Sequence, residues 1–365
     1  MSLIGKPLDA VDTPALVIDA AALERNIARM AAFFREREAI LRPHAKTHKS
    51  PQIAHLQLEA GAVGITCAKL GEAEILAQAG IRDLLIANQV VGEQKIARLV
   101  RLARYARVTV CVDDPVNAEQ ISAAAQAAGT SVGILVEVDI GMRRCGVEPG
   151  EPALALARRV AELPGLVFRG LQGYEGHLVN VREREERERR VRDAMAPLIE
   201  TRRLIEDAGI PVEVVSGGGT GTYDITSQIE GFDEIQAGSY VFMDATYCRV
   251  EGPSEVFEPA AFLWSTILSR PAPDRAVADI GLKTASPELG LPEAAEIDGV
   301  TVLGLSEEHA RLRLEGQARS LRPGDKLRFL PGHVCTTVNL HDRYIVVRDG
   351  LVEAVWPVAA RGRSQ

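Results

Sequence analysis

The sequence predicts an α/β protein, a (β/α)8 TIM-type barrel with a C-terminal antiparallel β domain. Three observations predict it. Short β-branched runs alternate with helical patterns eight times up to about residue 250. Several of these runs are apolar on consecutive positions (VTVCVD, VGILVEVD), as parallel strands buried on both faces require. Beyond that point the helical patterns give way to strands split by Pro, Gly and Asp turns. The length of 365 residues suits a barrel of about 250 residues plus a domain of about 100.

The eight predicted barrel strands are Ile40–Lys46, Val63–Ala68, Leu84–Asn88, Val108–Asp113, Val132–Asp139, Phe168–Tyr174, Val212–Ser216 and Glu234–Gly238. Between them, Leu70–Gly80 reads as a helix stopped by glycine. Pro115–Ala128 reads as one opened by an Asp cap with Pro in the first turn. The charged stretch Val181–Gly209 interleaves Glu and Arg at helical spacing, which fits a solvated helix face better than a basic tract. The segments AFLWSTILSR, RAVADIG, GVTVLGL, ARLRLEG, DKLRFL and RYIVVRDG are the strands of the second domain. The expected divisions are residues 1–25, a strand and helix start able to join the β domain, 26–250 for the barrel and 251–365 for the β domain.

Composition excludes several classes of function. A net charge of −8, from 42 basic and 50 acidic residues, argues against a general nucleic-acid or anionic-membrane binder. The five cysteines are odd in number, widely spaced and without a CxxC pair, so they read as reduced thiols of a cytoplasmic protein. The opening MSLIGKPLDAVDTP does not read as a signal peptide, and no apolar run is long enough to span a membrane.

In such a barrel the chemistry lies at the C-terminal ends of the strands. The seventh and eighth strands end in SGGGTGT (Ser216–Thr222) and QAGSY (Gln236–Tyr240). Consecutive glycines let backbone N–H groups approach an anion, a helix N-terminus adds positive potential, and barrels often bind phosphate in these two loops. A plain flexible turn is the alternative. The first strand ends in RPHAKTHKS, where partial burial and nearby cations favour the neutral amine of Lys46 as a nucleophile toward a carbonyl. An exposed basic loop is the alternative there, and Lys49 is the rival lysine. In PGHVCTTVNLHD, His333 and Cys335 are two apart on an expected strand and so share a face. Imidazole with thiolate suits zinc, and two ligands imply an open site rather than a closed structural one. A buried cysteine beside an ordinary histidine is the alternative.

Together these segments resemble the D-threonine aldolase / D-serine dehydratase family of alanine-racemase-like (fold type III) pyridoxal-phosphate enzymes. The resemblance runs through DTPALVID (Asp12–Asp19), RPHAKTHKS, VEVDIGMRRCGV, GLQGYEGH, SGGGTGTY, QAGSYVFMD, DIGLKTAS (Asp279–Ser286), HVCTTVNLHD and VWPVAARG. It implies Lys46 as the cofactor lysine. Gly219, Thr220, Gly238 and Ser239 would hold the phosphate, with Tyr240 beside them. Arg143, Gln172 and Tyr174 would lie around the pyridine ring. His333 and Cys335 would bind a divalent metal, zinc or manganese, with magnesium or cobalt also open. His44, His48 and His177 are the candidate bases. The implied activity is retro-aldol cleavage of a D-3-hydroxy amino acid of the D-threonine type to glycine and an aldehyde, by a homodimer. The His-x-Cys pair is the form associated with the dehydratase branch, which keeps β-elimination from D-serine or 3-hydroxy-D-aspartate as the alternative. Racemisation and non-catalytic carriage of the cofactor stand lower.

Overall fold

The computed structural model describes residues 2–365. Chain contacts divide it into two units. One takes the chain up to Arg29, Thr47–Ser50 and Ser239–Arg361, and the other takes Met30–Lys46, Pro51–Gly238 and Gly362–Gln365.

The chain opens with β1 (Ala15–Asp19) and α1 (Ala20–Arg35), followed by the barrel strands β2 (Ile40–Leu41), β3 (Ile65–Cys67), β4 (Asp83–Gln89), β5 (Arg107–Val112), β6 (Val132–Glu137), β7 (Leu166–Gly173), β8 (Val214–Gly217) and β9 (Glu234–Ile235). All eight expected strands are present, parallel, in the order β2-β9-β8-β7-β6-β5-β4-β3. The seam between β2 and β3 closes just beyond the strands proper. Ala45 N–H donates to Thr66 O at 2.8 Å, and Thr66 N–H to Pro43 O at 2.9 Å. The extension of β2 is also bound on its other side, where Arg42 N–H donates to Ile235 O at 2.9 Å. The strand leading to Lys46 is therefore held from both neighbours. Leu85, Cys111 and Leu135 fill the interior as buried apolar side chains of three adjacent strands, which is why those strands are apolar on successive positions.

The barrel helices are α2 (Pro51–Glu59), α3 (Leu70–Gln78), α4 (Glu93–Leu102), α5 (Pro115–Ala128), α6 (Glu151–Glu162), α7 (Arg184–Asp207) and α8 (Tyr223–Thr226). The cap expected for α5 is present: the Asp114 carboxylate accepts Asn117 N–H at 2.8 Å, and Gly129 follows the helix at φ +60°. On α7, Arg192–Glu188 and Arg202–Glu206 pair across one helical turn, the solvated face read from the sequence. Arg187 is the exception: it is fully buried and donates to the carbonyls of Val181 and Arg182 at 2.6 and 3.0 Å.

The second sheet has nine strands. To β1 are added β10 (Ala261–Ala272), β11 (Arg275–Ala278), β12 (Glu293–Ala294), β13 (Val300–Leu305), β14 (Ala310–Leu314), β15 (Lys326–Leu330), β16 (Arg343–Arg348) and β17 (Leu351–Pro357), with the short helices α9 (Pro253–Val256) and α10 (Val334–Val338). Its pairs are antiparallel except β1 with β16, which run parallel. The opening strand thus belongs to this sheet, where Val17, Trp264, Ile345 and Val352 share a buried cluster.

Two sequence expectations need correction. His333 and Cys335 are not on a strand. His333 is the N-cap of α10 and Cys335 lies in its first turn, because the buried Asp244 carboxylate accepts Val334 N–H at 3.0 Å and satisfies a helix-terminal donor. The helix after the glycine loop, α8, is only four residues long. The positive potential expected from a helix N-terminus there is accordingly small, since so few peptide dipoles align.

Candidate active site

At the C-terminal mouth of the barrel, Lys46 is half-buried, with its Nζ 5.4 Å from the Tyr174 ring centroid. The exposed Arg144 also lies over this ring, with Cζ at 5.6 Å, and its neighbour Arg143 is exposed too, at φ +54°. The Asp139 carboxylate shapes this turn by accepting the backbone N–H groups of Gly141 and Arg143 at 2.9 and 3.0 Å.

Below the mouth runs a chain of buried polar side chains. Gln236 donates to Gln172 Oε1 at 2.9 Å and to Ser216 Oγ at 2.8 Å, and Ser216 donates to Glu234 at 2.7 Å. Arg42 then bridges Glu234 at 2.7 Å and Asp83 at 2.8 Å. On the other side of Gln172, Glu137 accepts from Gln89 at 2.6 Å, and burial raises its pKa against the hydrogen bonds from Gln89 and Gln172. Gln172 is thus fixed from both directions. The sequence assigned a site role to Gln172 but none to Gln89, Glu137 or Gln236. Their signal was present, since each is a polar residue at or just past the last position of an apolar strand.

The glycine loop is built for close approach. A Cβ on Gly221 would stand 1.8 Å from Val179 O, and one on Gly217 1.9 Å from Gly173 O. Those two glycines are required by backbone packing. Gly219 differs. Its N–H is donated to Thr222 Oγ1 at 3.1 Å, and a Cβ there would meet side chains rather than backbone, Val179 Cγ1 at 2.9 Å and the Tyr174 ring at 3.5 Å. Thr220 is buried within the loop, and Gly238 follows β9 at the next strand end.

The three candidate bases have different surroundings. His44 and His48 are buried, and each Nδ1 accepts a backbone N–H, from Lys46 at 3.4 Å and Ser50 at 3.2 Å. A neutral ring so placed carries its proton on Nε2. His177 is exposed beside Gly141, and desolvation with the nearby Arg190 lowers its pKa.

In the β-rich unit the Cys335 thiol has three polar neighbours. Thr47 Oγ1 lies at 3.2 Å, Ser239 Oγ at 3.6 Å, and His333 is hydrogen-bonded to it. Burial opposes charge on His333, but its hydrogen bonds to Cys335 and Glu288 prevail and raise its pKa to about 9. Glu288 holds the His333 Nδ1 at 2.7 Å. Among the described residues, no group of three or more His, Cys, Asp or Glu side chains gathers in metal-binding fashion. Tyr240 is buried against Phe257, with ring centroids 5.6 Å apart. Thr47 and Ser239 belong to the same unit as Cys335. All five cysteines are free, and among the described residues no helix is long and apolar enough to cross a membrane.

Comparison with known proteins bears on this arrangement. The family model for the alanine racemase N-terminal domain matches residues 18–246, and that for a putative serine dehydratase domain matches 260–347. A D-threonine aldolase of Arthrobacter sp. is 44% identical over 363 residues, covering 99% of this chain and 96% of the relative. The chain belongs to the D-threonine aldolase / D-serine dehydratase family. A second member of the family, the 3-hydroxy-D-aspartate aldolase of Paracoccus denitrificans, is 42% identical over 100% of this chain and 95% of its own length. The crystal structure of D-threonine aldolase from Filomicrobium marinum superposes with a TM-score of 0.97 at 43% identity, covering 100% of this chain and 99% of that one. A dehydratase stands further off. The D-threo-3-hydroxyaspartate dehydratase of Delftia sp. is 30% identical over 90% of this chain and 92% of the relative. A variant of D-threo-3-hydroxyaspartate dehydratase with one cysteine changed to alanine has been solved in a metal-free form, with a TM-score of 0.88 at 28% identity over 96% of this chain and 98% of that one.

Proposed function

We propose that the protein cleaves D-3-hydroxy amino acids by a retro-aldol reaction to glycine and an aldehyde, using pyridoxal phosphate and a divalent metal ion. The observation that carries this reading is full-length identity of 44% and 42% to two aldolases, against 30% to a dehydratase.

The residues present fit the cofactor. Lys46 is a half-buried amine over an aromatic face, and Gly219, with no side chain of its own, lies close to that ring in a loop of hydroxyls and close backbone. Lys46 would bond the cofactor, with Tyr174 and Gln172 near its ring and Gly219, Thr220, Gly238, Ser239 and Tyr240 near its phosphate. Arg144 shares the Tyr174 face with Lys46, so it joins Arg143 as a candidate for the ring surroundings. When bound, pyridoxal phosphate supplies the electron sink that makes a bond at Cα labile.

The donors His333 and Cys335 fit a divalent ion in the zinc class. Glu288 on the second ring nitrogen fixes the imidazole, as outer partners of metal-bound histidines do. Two protein donors leave positions for water and for the substrate's hydroxyl. The metal-free form of the dehydratase's cysteine variant supports a cysteine ligand by analogy. A divalent ion held there would supply Lewis acidity toward the substrate's hydroxyl, whose proton a neutral imidazole could take. We assign that role to His177, whose pKa is lowered by desolvation and by Arg190, whereas His44 and His48 already use Nδ1 as acceptors. We further propose a cytoplasmic homodimer, with the free thiols supporting a reducing compartment.

Incubation of the purified protein with D-threonine, pyridoxal phosphate and Mn2+ or Zn2+ tests the reading. Glycine and acetaldehyde are the expected products. Release of 2-oxobutyrate and ammonia would replace it with the dehydratase, L-allothreonine with a racemase, and no turnover with any metal would revive the carrier. Lys46→Ala is expected to lose the absorption band of lysine-bound cofactor, and retention of that band would sink the lysine assignment.

A further inference from the structure

One carboxylate under the glycine loop plays no part in the chemistry above. Glu175 is fully buried just past the end of β7, and three donors converge on it. Thr222 Oγ1 and Thr226 Oγ1 each donate at 2.6 Å, and Gly218 N–H donates at 3.2 Å. Gly219 is tied to the same carboxylate in relay, through its N–H to Thr222 Oγ1 at 3.1 Å. All these donors come from the single segment 218–226, and both threonines are fully buried. Burial pushes the Glu175 acid up, while the threonine hydroxyls and the Gly218 N–H hold it down. A desolvated carboxyl is tolerated only when its acceptors are satisfied, and here the loop supplies three donors beside the backbone N–H of Glu175 itself.

The same contacts serve the loop. Gly218 sits in the left-handed region at φ +73°. A loop with several glycines has more backbone freedom to lose than any other. Glu175 supplies what glycines cannot, a side chain that ties successive turns of the segment to one point.

We propose that Glu175 is a positioning residue for the phosphate of the cofactor: it ties down the inward donors of residues 218–226 so that Gly219 and Thr220 hold a single geometry toward a phosphate. This rests on the phosphate-loop reading under Proposed function. Glu175 itself does not touch the ligand and acts only through Thr222, Thr226 and the Gly218 backbone.

The test compares pyridoxal phosphate with pyridoxal, which lacks only the phosphate. The cofactor-stripped full-length protein is titrated with each, following the band that appears when either bonds the lysine. The wild type is expected to prefer pyridoxal phosphate by about a hundredfold or more, the equivalent of a few charge-assisted hydrogen bonds. Glu175→Met fills the volume but offers only a weak thioether acceptor, so that preference should fall about tenfold while pyridoxal affinity stays within about twofold. Glu175→Gln can turn its amide to accept from Gly218 and donate to both hydroxyls, and should keep the preference within about threefold. Thr226→Val removes one donor and should cost about threefold; it decides the matter if the Met variant does not fold. The proposal is overturned if the Met and Val variants keep the full preference, or if both ligands weaken equally, which is the mark of a general packing role. A wild type without any preference for the phosphate overturns the phosphate-loop reading itself, and this inference with it.

Discussion

Replacing Asp244 should damage both stability and metal binding, and the structure sets the size of each effect. The side chain is fully buried, with Oδ1 accepting Tyr247 N–H at 2.9 Å and Oδ2 accepting Val334 N–H at 3.0 Å. Burial pushes this acid up, and the two N–H groups hold its ionised form. Asp244→Ala strands both donors, and a lost hydrogen bond to a charged group costs about 1.5–3 kcal/mol, so the total is about 3–6 kcal/mol. Asp244→Asn keeps one acceptor and should cost about half of that. The Val334 contact starts α10, a helix of five residues with little cooperativity of its own, and His333 and Cys335 flank that start. Zinc affinity of the Ala variant should accordingly fall about ten- to hundredfold, as when an outer partner of a ligand is removed. Urea unfolding gives the first quantity and competition with a chromophoric chelator the second. An unchanged urea midpoint would refute the energetic reasoning. A large loss of stability with wild-type zinc affinity would refute the link from Asp244 to the metal pair.

Other perturbations follow from the same contacts. Arg42→Met leaves Glu234 and part of Asp83 without a cation at the barrel seam, and should lower unfolding free energy by about 3 kcal/mol in urea titrations; an effect under about 0.5 kcal/mol would show the pair to be energetically idle. His341 has a pKa lowered by burial, against its hydrogen bond to Thr284 O at 2.8 Å. The unfolded chain therefore binds the proton more readily, so stability is complete above the ordinary histidine pKa and declines as the pH falls from about 7 to about 5. His341→Gln retains a donor and cannot protonate, so its unfolding free energy should vary less over that range. Identical pH profiles would assign the loss to other groups.

Much of the fold was legible because periodicity and punctuation are local. Consecutive apolar positions marked β5 and β6, and Asp114-Pro115 with Gly129 bounded α5. The chemistry-bearing residues were legible by type and by their place at strand ends: Lys46 after the first barrel strand, the glycines after the seventh, and the pair His333 and Cys335. The error over that pair has a definite cause. HVCTTV is β-branched and reads as a strand, but a carboxylate 90 residues away in sequence caps it as a helix. Sequence by itself therefore determined the barrel, its strand ends and the residue types able to carry the chemistry, since these follow from short-range spacing and composition. Only the tertiary structure decided which side chains meet: Asp244 under α10, Arg144 rather than Arg143 on Tyr174, and Glu175 beneath the glycine loop. Those pairings are long-range, and for Asp244 and Glu175 the physical reason is burial. A polar group taken out of water must find its partner wherever the fold brings one.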